Sequence, residues 1–151
     1  MNKYRSHNCN ELRKKDVGSH VLLSGWINKK RDHGNLLFID LRDNYGITQC
    51  IIDKDNSSFN ELEKTQLETV IKINGKVINR SDETINKDIE SGEIEVAIES
   101  FSILGTCNEL PMPVFSDQEY AEEIRLKYRF LDLRRKKIHE NIILRSKVIS
   151  F

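Results

Sequence analysis

The stretch INKKRDHGNLLFIDLRDNYGITQCII, residues 27–52, decides the fold of this chain. Apolar and polar residues alternate on both sides of the turn signal DNYG, so the pattern predicts a β-hairpin with a four-residue loop. This loop length places Asp40 opposite Gln49 and Phe38 opposite Ile51. The core face of the second strand would then consist of Leu37, Ile39 and Leu41. Phe38 falls on the other face, among charged side chains, where a large aromatic residue requires an explanation.

The segments around the hairpin predict three further strands and a helix. Apolar residues alternate with other residues in HVLLSGWINKKR (20–31), TVIKINGKVINR (69–80) and GEIEVAIESFSIL (92–104), whereas SSFNELEKTQLE (57–68) begins like a helix. Gly75, inside the fourth strand, predicts a bulge or a bend. Three strands, a helix and two strands predict a mainly β fold, the five-stranded OB-fold Greek-key barrel, whose strand 2–3 face commonly binds oligonucleotides.

The regions flanking the barrel are expected to be helical. Residues 9–17 predict a short N-terminal helix with Asn10 as its N-cap. Both prolines of the chain, Pro111 and Pro113, predict a boundary near residues 105–116. The helix that follows has an apolar stripe and no domain to bury it, so we expect a piece of a longer protein. The expected division is a barrel domain, a linker with a hinge, and the start of a further domain, over residues 1–104, 105–135 and 136–151.

The composition excludes several classes of protein. Of the 151 residues, 32% are charged and 38% apolar, which suits a globular chain. No stretch is apolar enough to span a bilayer and the first residues lack the apolar part of a signal peptide, so we expect a cytoplasmic protein without membrane contact. Cys9, Cys50 and Cys107 fit neither a disulfide framework nor a zinc site, so we expect inert thiols and no metal.

The net charge of zero conceals three blocks. Residues 1–50 carry a net charge of +4 and residues 121–151 a net charge of +5, whereas residues 51–120 carry −9. The basic blocks would allow a polyanionic partner to bind. The alternative is a mixed, solvated surface without a partner.

The hairpin itself offers a use for the outward phenylalanine. Phe38 and Gln49 are diagonal neighbours on one face, within reach of a shared ligand. An aromatic ring stacks on an unpaired base with about 1–3 kcal/mol, and an amide offers a donor and an acceptor to the base edge. Lys29, Lys30 and Arg31 end the first strand, where they can reach phosphates. The alternative is that another part of the protein covers Phe38 and that Gln49 is an ordinary surface residue.

Three motifs resemble those of one family. KKRDHGNLLFIDLRDNYGITQ (29–49), SGEIEV (91–96) and EEIRLKYRFLDLRRKKI (122–138) are similar to the N-terminal anticodon-binding region of bacterial-type aspartyl-tRNA synthetases, which belong to class II, subclass b. The resemblance implies binding to the anticodon of tRNA(Asp). It also implies a full-length parent, a homodimeric aspartate–tRNA ligase that uses ATP and Mg²⁺. The 151 residues show no glycine-rich phosphate loop or catalytic triad, so we expect no catalytic residue and no cofactor in them.

The resemblance assigns roles at the first two anticodon bases. It implies that Phe38 stacks on the central uridine and that Gln49 reads the edge of the same base. Arg31 matches a basic residue at the anticodon. Glu95 matches an acid that contacts the first base, a guanosine or its modified form.

The third base is assigned less completely. The resemblance places it near the loop after the fourth strand, where Arg80 and Asn86 match the family pattern but Ile78 and Thr84 depart from it. His33 lies in the RDHG turn between the first and second strands, close to the expected position of the third anticodon base. Because a histidine can donate or accept, we hypothesise that it tolerates both C and U, and hence both tRNA(Asp) and tRNA(Asn). The alternative is that His33 only shapes the turn.

Two other interpretations compete with this one. A stand-alone OB module for single-stranded nucleic acid would explain the barrel face, but the apolar last helix argues against it. An asparaginyl or lysyl relative would share the phenylalanine and the glutamine, but GEIEV and LDLRR fit those families poorly.

Overall fold

The five predicted strands close into a barrel. The computed structural model describes residues 2–115 and 118–151, apart from the side chain of Asp82. The strands are β1 (His20–Asp32), β2 (Leu36–Arg42), β3 (Ile47–Asp53), β4 (Val70–Asn79) and β5 (Ile94–Gly105), and helix α1 (Phe59–Lys64) connects β3 to β4. The barrel order is β1-β2-β3-β5-β4, in which β3 and β5 are parallel and the other pairs antiparallel. The predicted mainly β, five-stranded barrel with a helix before the fourth strand is confirmed.

The hairpin of β2 and β3 has the predicted register. Asp40 pairs with Gln49 and Phe38 pairs with Ile51. Leu37, Ile39 and Leu41 are buried, as expected for the core face. Gly75 lies at an irregularity in the pairing of β4 with β5, where a β-carbon would collide with the carbonyl oxygen of Ala97. The prediction of a bulge or bend at this glycine is therefore confirmed.

The N-terminal helix is shorter than expected. A single 3-10 turn spans Lys14–Asp16, whereas residues 9–11 form a hydrogen-bonded turn. The backbone N–H groups of Cys9 and Asn10 donate to Asp43 Oδ2 at 2.9 Å and to Thr48 Oγ1 at 3.0 Å. Asn10 has a φ of 70°, which is outside the range of a helix N-cap. Arg13 is extended, with φ of −137° and ψ of 174°, so a helix cannot run through residues 9–17.

Two of the three thiols are part of the barrel core. Cys9 and Cys50 are both buried. Burial raises the pKa of Cys9 to about 12 and also raises the pKa of Cys50. Both thiols therefore stay protonated and pack as small apolar side chains.

Residues Glu109–Phe151 form a second compact unit. Its helices are α2 (Glu122–Lys127), α3 (Arg129–Asp132) and α4 (Lys136–Ile149). A small core consists of Met112, Val114 and Leu131, against which Leu110, Tyr120 and Tyr128 pack. None of the fourteen residues of α4, all of them described, is buried. Within the described residues, no helix has the length and apolarity that crossing a membrane requires.

An arginine hub stabilises the second unit. We use this name for Asp132 and the three arginines around it, Arg125, Arg129 and Arg135. The side chain of Asp132 is fully buried, and its oxygens lie 3.1, 2.6 and 3.7 Å from Arg125 Nε, Arg129 Nη1 and Arg135 Nη1. Burial alone would raise the pKa of Asp132, but the arginines outweigh it and hold the pKa below its ordinary value of 3.8. The LDLRR motif thus supplies Asp132 and Arg135, two of the four charged residues of the hub.

Candidate nucleic-acid interface

A bulge in β1 decides which of its basic residues reach the outer face of the barrel. Ile27 pairs with Leu41, but Lys29 pairs with Asp40 and Arg31 with Phe38, with the irregularity between Ile27 and Lys29. Directly paired residues point to the same side of a sheet, so Lys29 and Arg31 share the outer face with Phe38. The NKKR run contains no apolar residue, so alternation could not reveal this shift.

The outer face carries a continuous line of polar side chains, which we call the polar row. Its members, in spatial order, are Asp40, Arg31, Gln49, Glu95 and Arg80. Arg31 Nη2 donates to Asp40 Oδ1 at 2.8 Å and to Gln49 Oε1 at 2.9 Å. Gln49 Nε2 donates to Glu95 Oε2 at 3.0 Å, and Arg80 Nε lies 3.8 Å from the same oxygen. The structure therefore brings together four of the predicted site residues and adds Asp40.

The two aromatic candidates lie side by side. Phe38 is half-buried and His33 is exposed. Their ring centroids are 5.2 Å apart and their planes meet at 81°, an edge-to-face arrangement. Phe38 lies between the core positions Leu37 and Ile39 in sequence but on the opposite side of the strand. Stacking on a base remains a prediction for this ring, and the outer position that stacking requires is present.

The amide of Gln49 has a defined orientation. Arg31 only donates, so it requires the amide oxygen, and the ionised carboxylate of Glu95 only accepts, so it requires the amide nitrogen. Gln49 is 8% exposed, and each of its two polar atoms keeps one further hydrogen-bonding position. The side chain can therefore still pair with a ligand that approaches from the outer face.

Arg80 is built into the barrel. Its side chain is only 3% exposed, and its guanidinium donates to the carbonyl oxygens of Ile94 and Thr84, both at 3.2 Å. Burial lowers the pKa of Arg80, while the charges of Glu95 and Asp40 oppose this shift. Its Nη2 is buried without a hydrogen-bond partner among the described residues. This burial suits a residue that holds Glu95 and the following loop in position.

Asn86 lies outside the polar row. Its side-chain oxygen accepts from the backbone N–H of Asp88 at 2.9 Å, and its own N–H donates to the carbonyl of Gly92 at 3.1 Å. These bonds shape the loop between β4 and β5. Asn86 is thus held within its own loop, and its contact with the third anticodon base stays a prediction.

The two predicted phosphate-binding lysines differ in position. Lys29 is exposed on the outer face. Lys30 points to the other side, where its ammonium group donates to the carbonyl oxygens of Glu63 and Thr65 at 2.5 and 2.6 Å. Burial lowers the pKa of Lys30, although the charge of Glu63 opposes the shift. Lys30 therefore caps the end of α1. The local sequence could not reveal this role, because the contact joins residues that are more than thirty positions apart.

Arg42 shares the outer face by register but is part of the structural framework. Its side chain is 3% exposed and pairs with both carboxylate oxygens of Glu68 at 2.8 Å. It also donates to Asn28 Oδ1 at 2.6 Å. Glu68 has a φ of 63°, so this bidentate pair holds a backbone conformation that few residues other than glycine adopt.

A comparison with known families identifies the class of protein. Residues 21–104 match the tRNA anti-codon family, which is described as "OB-fold nucleic acid binding domain". The matched residues include the polar row and all five strands except their outermost residues, His20 and Gly105. The chain therefore belongs to the OB-fold nucleic acid binding domain family.

Relatives with high identity narrow this class. The chain is 79% identical over all of its 151 residues to the Aspartate--tRNA(Asp/Asn) ligase of Pelagibacter ubique, and 52% identical over 149 residues to that of Bradyrhizobium diazoefficiens. It spans about a quarter of the length of these curated relatives, 25% in each case. The asparaginyl-tRNA synthetase of Pyrococcus horikoshii has a similar fold, with a TM-score of 0.79 over 95% of this chain and 32% of that one, at 24% identity.

Proposed function

We propose that this chain is the anticodon-binding part of an aspartate–tRNA ligase and that its outer barrel face binds the anticodon loop. The observation that carries the proposal is the half-buried Phe38 beside the oriented amide of Gln49. A ring for stacking, an amide with free hydrogen-bonding positions and the exposed Lys29 are the groups that an unpaired nucleotide needs. The 79% identity to an aspartate–tRNA ligase over the whole chain supports tRNA as the nucleic acid.

The full-length protein is proposed to attach aspartate to tRNA with ATP and Mg²⁺, as a cytoplasmic homodimer. We assign this chemistry to the three quarters of the relatives that the chain does not match. Within the chain we propose residues 1–104 as the anticodon-binding domain, 105–135 as a hinge and 136–151 as the start of the catalytic domain.

The proposed tRNA partners are tRNA(Asp) and tRNA(Asn). Their anticodons differ only at the third base, C against U. Support comes from His33, which contacts the ring of Phe38 and can either donate or accept, and from the relatives' name, which includes both tRNAs. His33→Leu should make binding discriminate between the two anticodon stem-loops, whereas the wild-type chain should bind them comparably. A strong preference for C that is unchanged in His33→Leu would contradict this role.

Binding to anticodon stem-loops tests the main proposal. The chain should bind the tRNA(Asp) stem-loop more tightly than the same stem-loop with C at the middle base, and binding should weaken with salt. Aspartate-dependent ATP–pyrophosphate exchange by these 151 residues should be absent, and any such exchange would contradict the assignment of the chemistry. Equally tight binding of an unrelated single-stranded oligonucleotide would favour the alternative of a general single-strand-binding module.

A further inference from the structure

We infer that the preference for one pyrimidine at the middle base is set by the polar row as a unit, with Glu95 and Arg80 as positioning residues that fix the Gln49 amide. This inference rests on the proposed function. It assigns the specificity to the neighbours of the reading residue, which lie on β1, on β5 and directly after β4.

A glutamine amide alone is a poor discriminator between uracil and cytosine. The uracil edge offers the N3–H donor next to the O4 acceptor, and the cytosine edge offers the N3 acceptor next to the amino donor. An amide carries both a donor and an acceptor, so a half-turn about its terminal torsion adapts it from one edge to the other. A freely rotating Gln49 would therefore accept either base.

In this barrel the half-turn is opposed at both ends of the amide. It would bring the NH₂ group against Arg31, which lies 2.9 Å from the present oxygen, so that two donors would meet. It would also bring the oxygen against the Glu95 carboxylate, which lies 3.0 Å from the present nitrogen, so that two acceptors would meet. Two charge-assisted hydrogen bonds would be lost together, and such bonds are the stronger class. Gln49 thus offers donor and acceptor in one order.

The two charged neighbours are themselves held in place. Arg31 is anchored by both carboxylate oxygens of Asp40, at 2.8 and 3.2 Å. Glu95 lies between Gln49 and Arg80, and the Arg80 side chain, 3% exposed, is fixed by two backbone carbonyls. The unpartnered Nη2 of Arg80 leaves part of this buried guanidinium without a hydrogen bond, so the nearby carboxylate of Glu95 is the charge that balances it. An ionised Glu95 only accepts, which is the condition for fixing the amide.

The variant Glu95→Gln tests this inference because its amide can donate as well as accept, so it removes the opposition to the half-turn at one end of Gln49 while Arg31 still opposes it at the other. Affinities are measured for two tRNA(Asp) anticodon stem-loops that differ only in U or C at the middle base. Wild type should prefer U by roughly 5- to 150-fold, the range of one bidentate base contact. Glu95→Gln should reduce this ratio by roughly 3- to 10-fold, the net effect of one hydrogen bond, mainly because the C stem-loop gains affinity relative to the U stem-loop. The first base is the same in both, so a contact of Glu95 with it cancels in the ratio.

Variants of Arg80 supply a second test, because Arg80 acts on Gln49 only through Glu95 and is not proposed to contact the middle base. Arg80→Met should relax the same ratio, and Arg80→Lys, which keeps a cation beside Glu95, should restore it in part. Thermal unfolding of each variant shows that the barrel is intact. A folded Glu95→Gln variant that keeps the wild-type ratio of affinities would overturn the inference while leaving the proposed function in place. A folded Glu95→Gln variant that binds neither stem-loop would also overturn the inference. Absence of any U preference in wild type would overturn the proposed function as well.

Discussion

The polar row of the barrel and the arginine hub of the second unit are built from the same kinds of residue, yet they are arranged for different purposes. In the hub, one fully buried carboxylate is surrounded by three guanidinium groups. In the row, charges alternate and a neutral amide stands in the middle, with a half-buried ring beside it. In the hub, the oxygens of Asp132 are bound by arginines of the same unit. In the polar row, each polar atom of Gln49 keeps one further hydrogen-bonding position for a ligand.

This difference indicates how to separate structural from functional ion pairs in a chain rich in both. In a closed cluster such as the hub, the central charge is surrounded by charged partners, and removing it leaves those partners uncompensated. The bidentate pair of Arg42 with Glu68 is of this closed kind. In the polar row, the oriented neutral amide of Gln49 offers a hydrogen-bonding pattern to a ligand. Substitutions in the hub should therefore change the stability of the second unit, whereas substitutions in the polar row should change the binding of the anticodon stem-loop.

The largest effect is expected from Asp132→Ala. The substitution leaves three arginines facing one another around an empty buried position, so the second unit should lose about 2–4 kcal/mol of stability. Hydrogen exchange of the amides in Glu109–Phe151 measures this loss. Glu140→Ala, at an exposed position of α4, is the matched control and should change little. A loss below about 0.5 kcal/mol for Asp132→Ala, the usual range of surface substitutions, would show that the hub is not structural.

Acid should weaken the same hub in the native sequence. The folded pKa of Asp132 lies below its ordinary value of 3.8, so its stabilising contribution is complete above that value and is lost as pH falls through the folded pKa. The effect should be smaller than that of Asp132→Ala because the protonated side chain still fills its site. Comparing the acid unfolding of wild type and Asp132→Asn by circular dichroism isolates this contribution. An identical acid transition in both would contradict it.

Phe38→Ala should next weaken binding of the anticodon stem-loop by about 1–3 kcal/mol, the usual loss of a stacking contact. The fold should persist because the side chain lies on the outer face of β2. Tyr45→Ala is the control, since Tyr45 is an exposed aromatic at the turn of the same hairpin. If Phe38→Ala instead unfolds the barrel and leaves base preference unchanged, the residue belongs to the core and the interface is misassigned.

Gln49→Ala should have a smaller effect on affinity than Phe38→Ala, and it should narrow the difference between U and C at the middle base. The loss removes one amide from a row whose other members still bind one another, so about 0.5–1.5 kcal/mol is expected. Fluorescence anisotropy with the two stem-loops measures both quantities. An undiminished preference for U would mean that another residue reads this base.

The smallest effect distinguishes the two lysines. Lys29→Ala should reduce the slope of log affinity against log salt by about 0.7, the value for one phosphate contact in a single strand. Lys30→Ala should leave the slope unchanged and instead lower the unfolding free energy by about 0.5–1.5 kcal/mol, because the carbonyls at the end of α1 lose their donor. Equal changes in slope for both variants would contradict the positions of the two side chains.

Much of the fold could be predicted because its signals are local. The register of the hairpin follows from the length of the Asp43–Gly46 loop and the alternation of Leu37, Ile39 and Leu41. The helix before the fourth strand follows from the helical pattern of residues 57–68, although Ser58 makes no side-chain cap hydrogen bond, and the irregularity at Gly75 follows from a glycine within a strand. In each case the deciding residues are neighbours in the chain.

The unpredicted features depend on contacts between distant residues. The bulge after Ile27 lies in a polar run that shows no alternation, although it decides that Arg31 rather than Lys30 reaches the polar row. Residues 9–17 have a helical pattern, but Asp43 and Thr48 accept the N–H groups of Cys9 and Asn10. The hairpin pattern indicated Phe38, Gln49 and the basic run, and the resemblance added Glu95 and Arg80, but only the three-dimensional structure shows how the members of the polar row bind one another.

The most direct test of the account is a chemical-shift titration of the isotope-labelled chain with the tRNA(Asp) anticodon stem-loop. We expect the largest changes at Arg31, Phe38, Gln49 and Glu95, with small changes around Asp132. The same titration with C at the middle base should move the Gln49 side-chain amide less. Changes confined to Glu109–Phe151, with the outer face of β2 and β3 unaffected, would contradict the assignment of the polar row as the nucleic-acid interface.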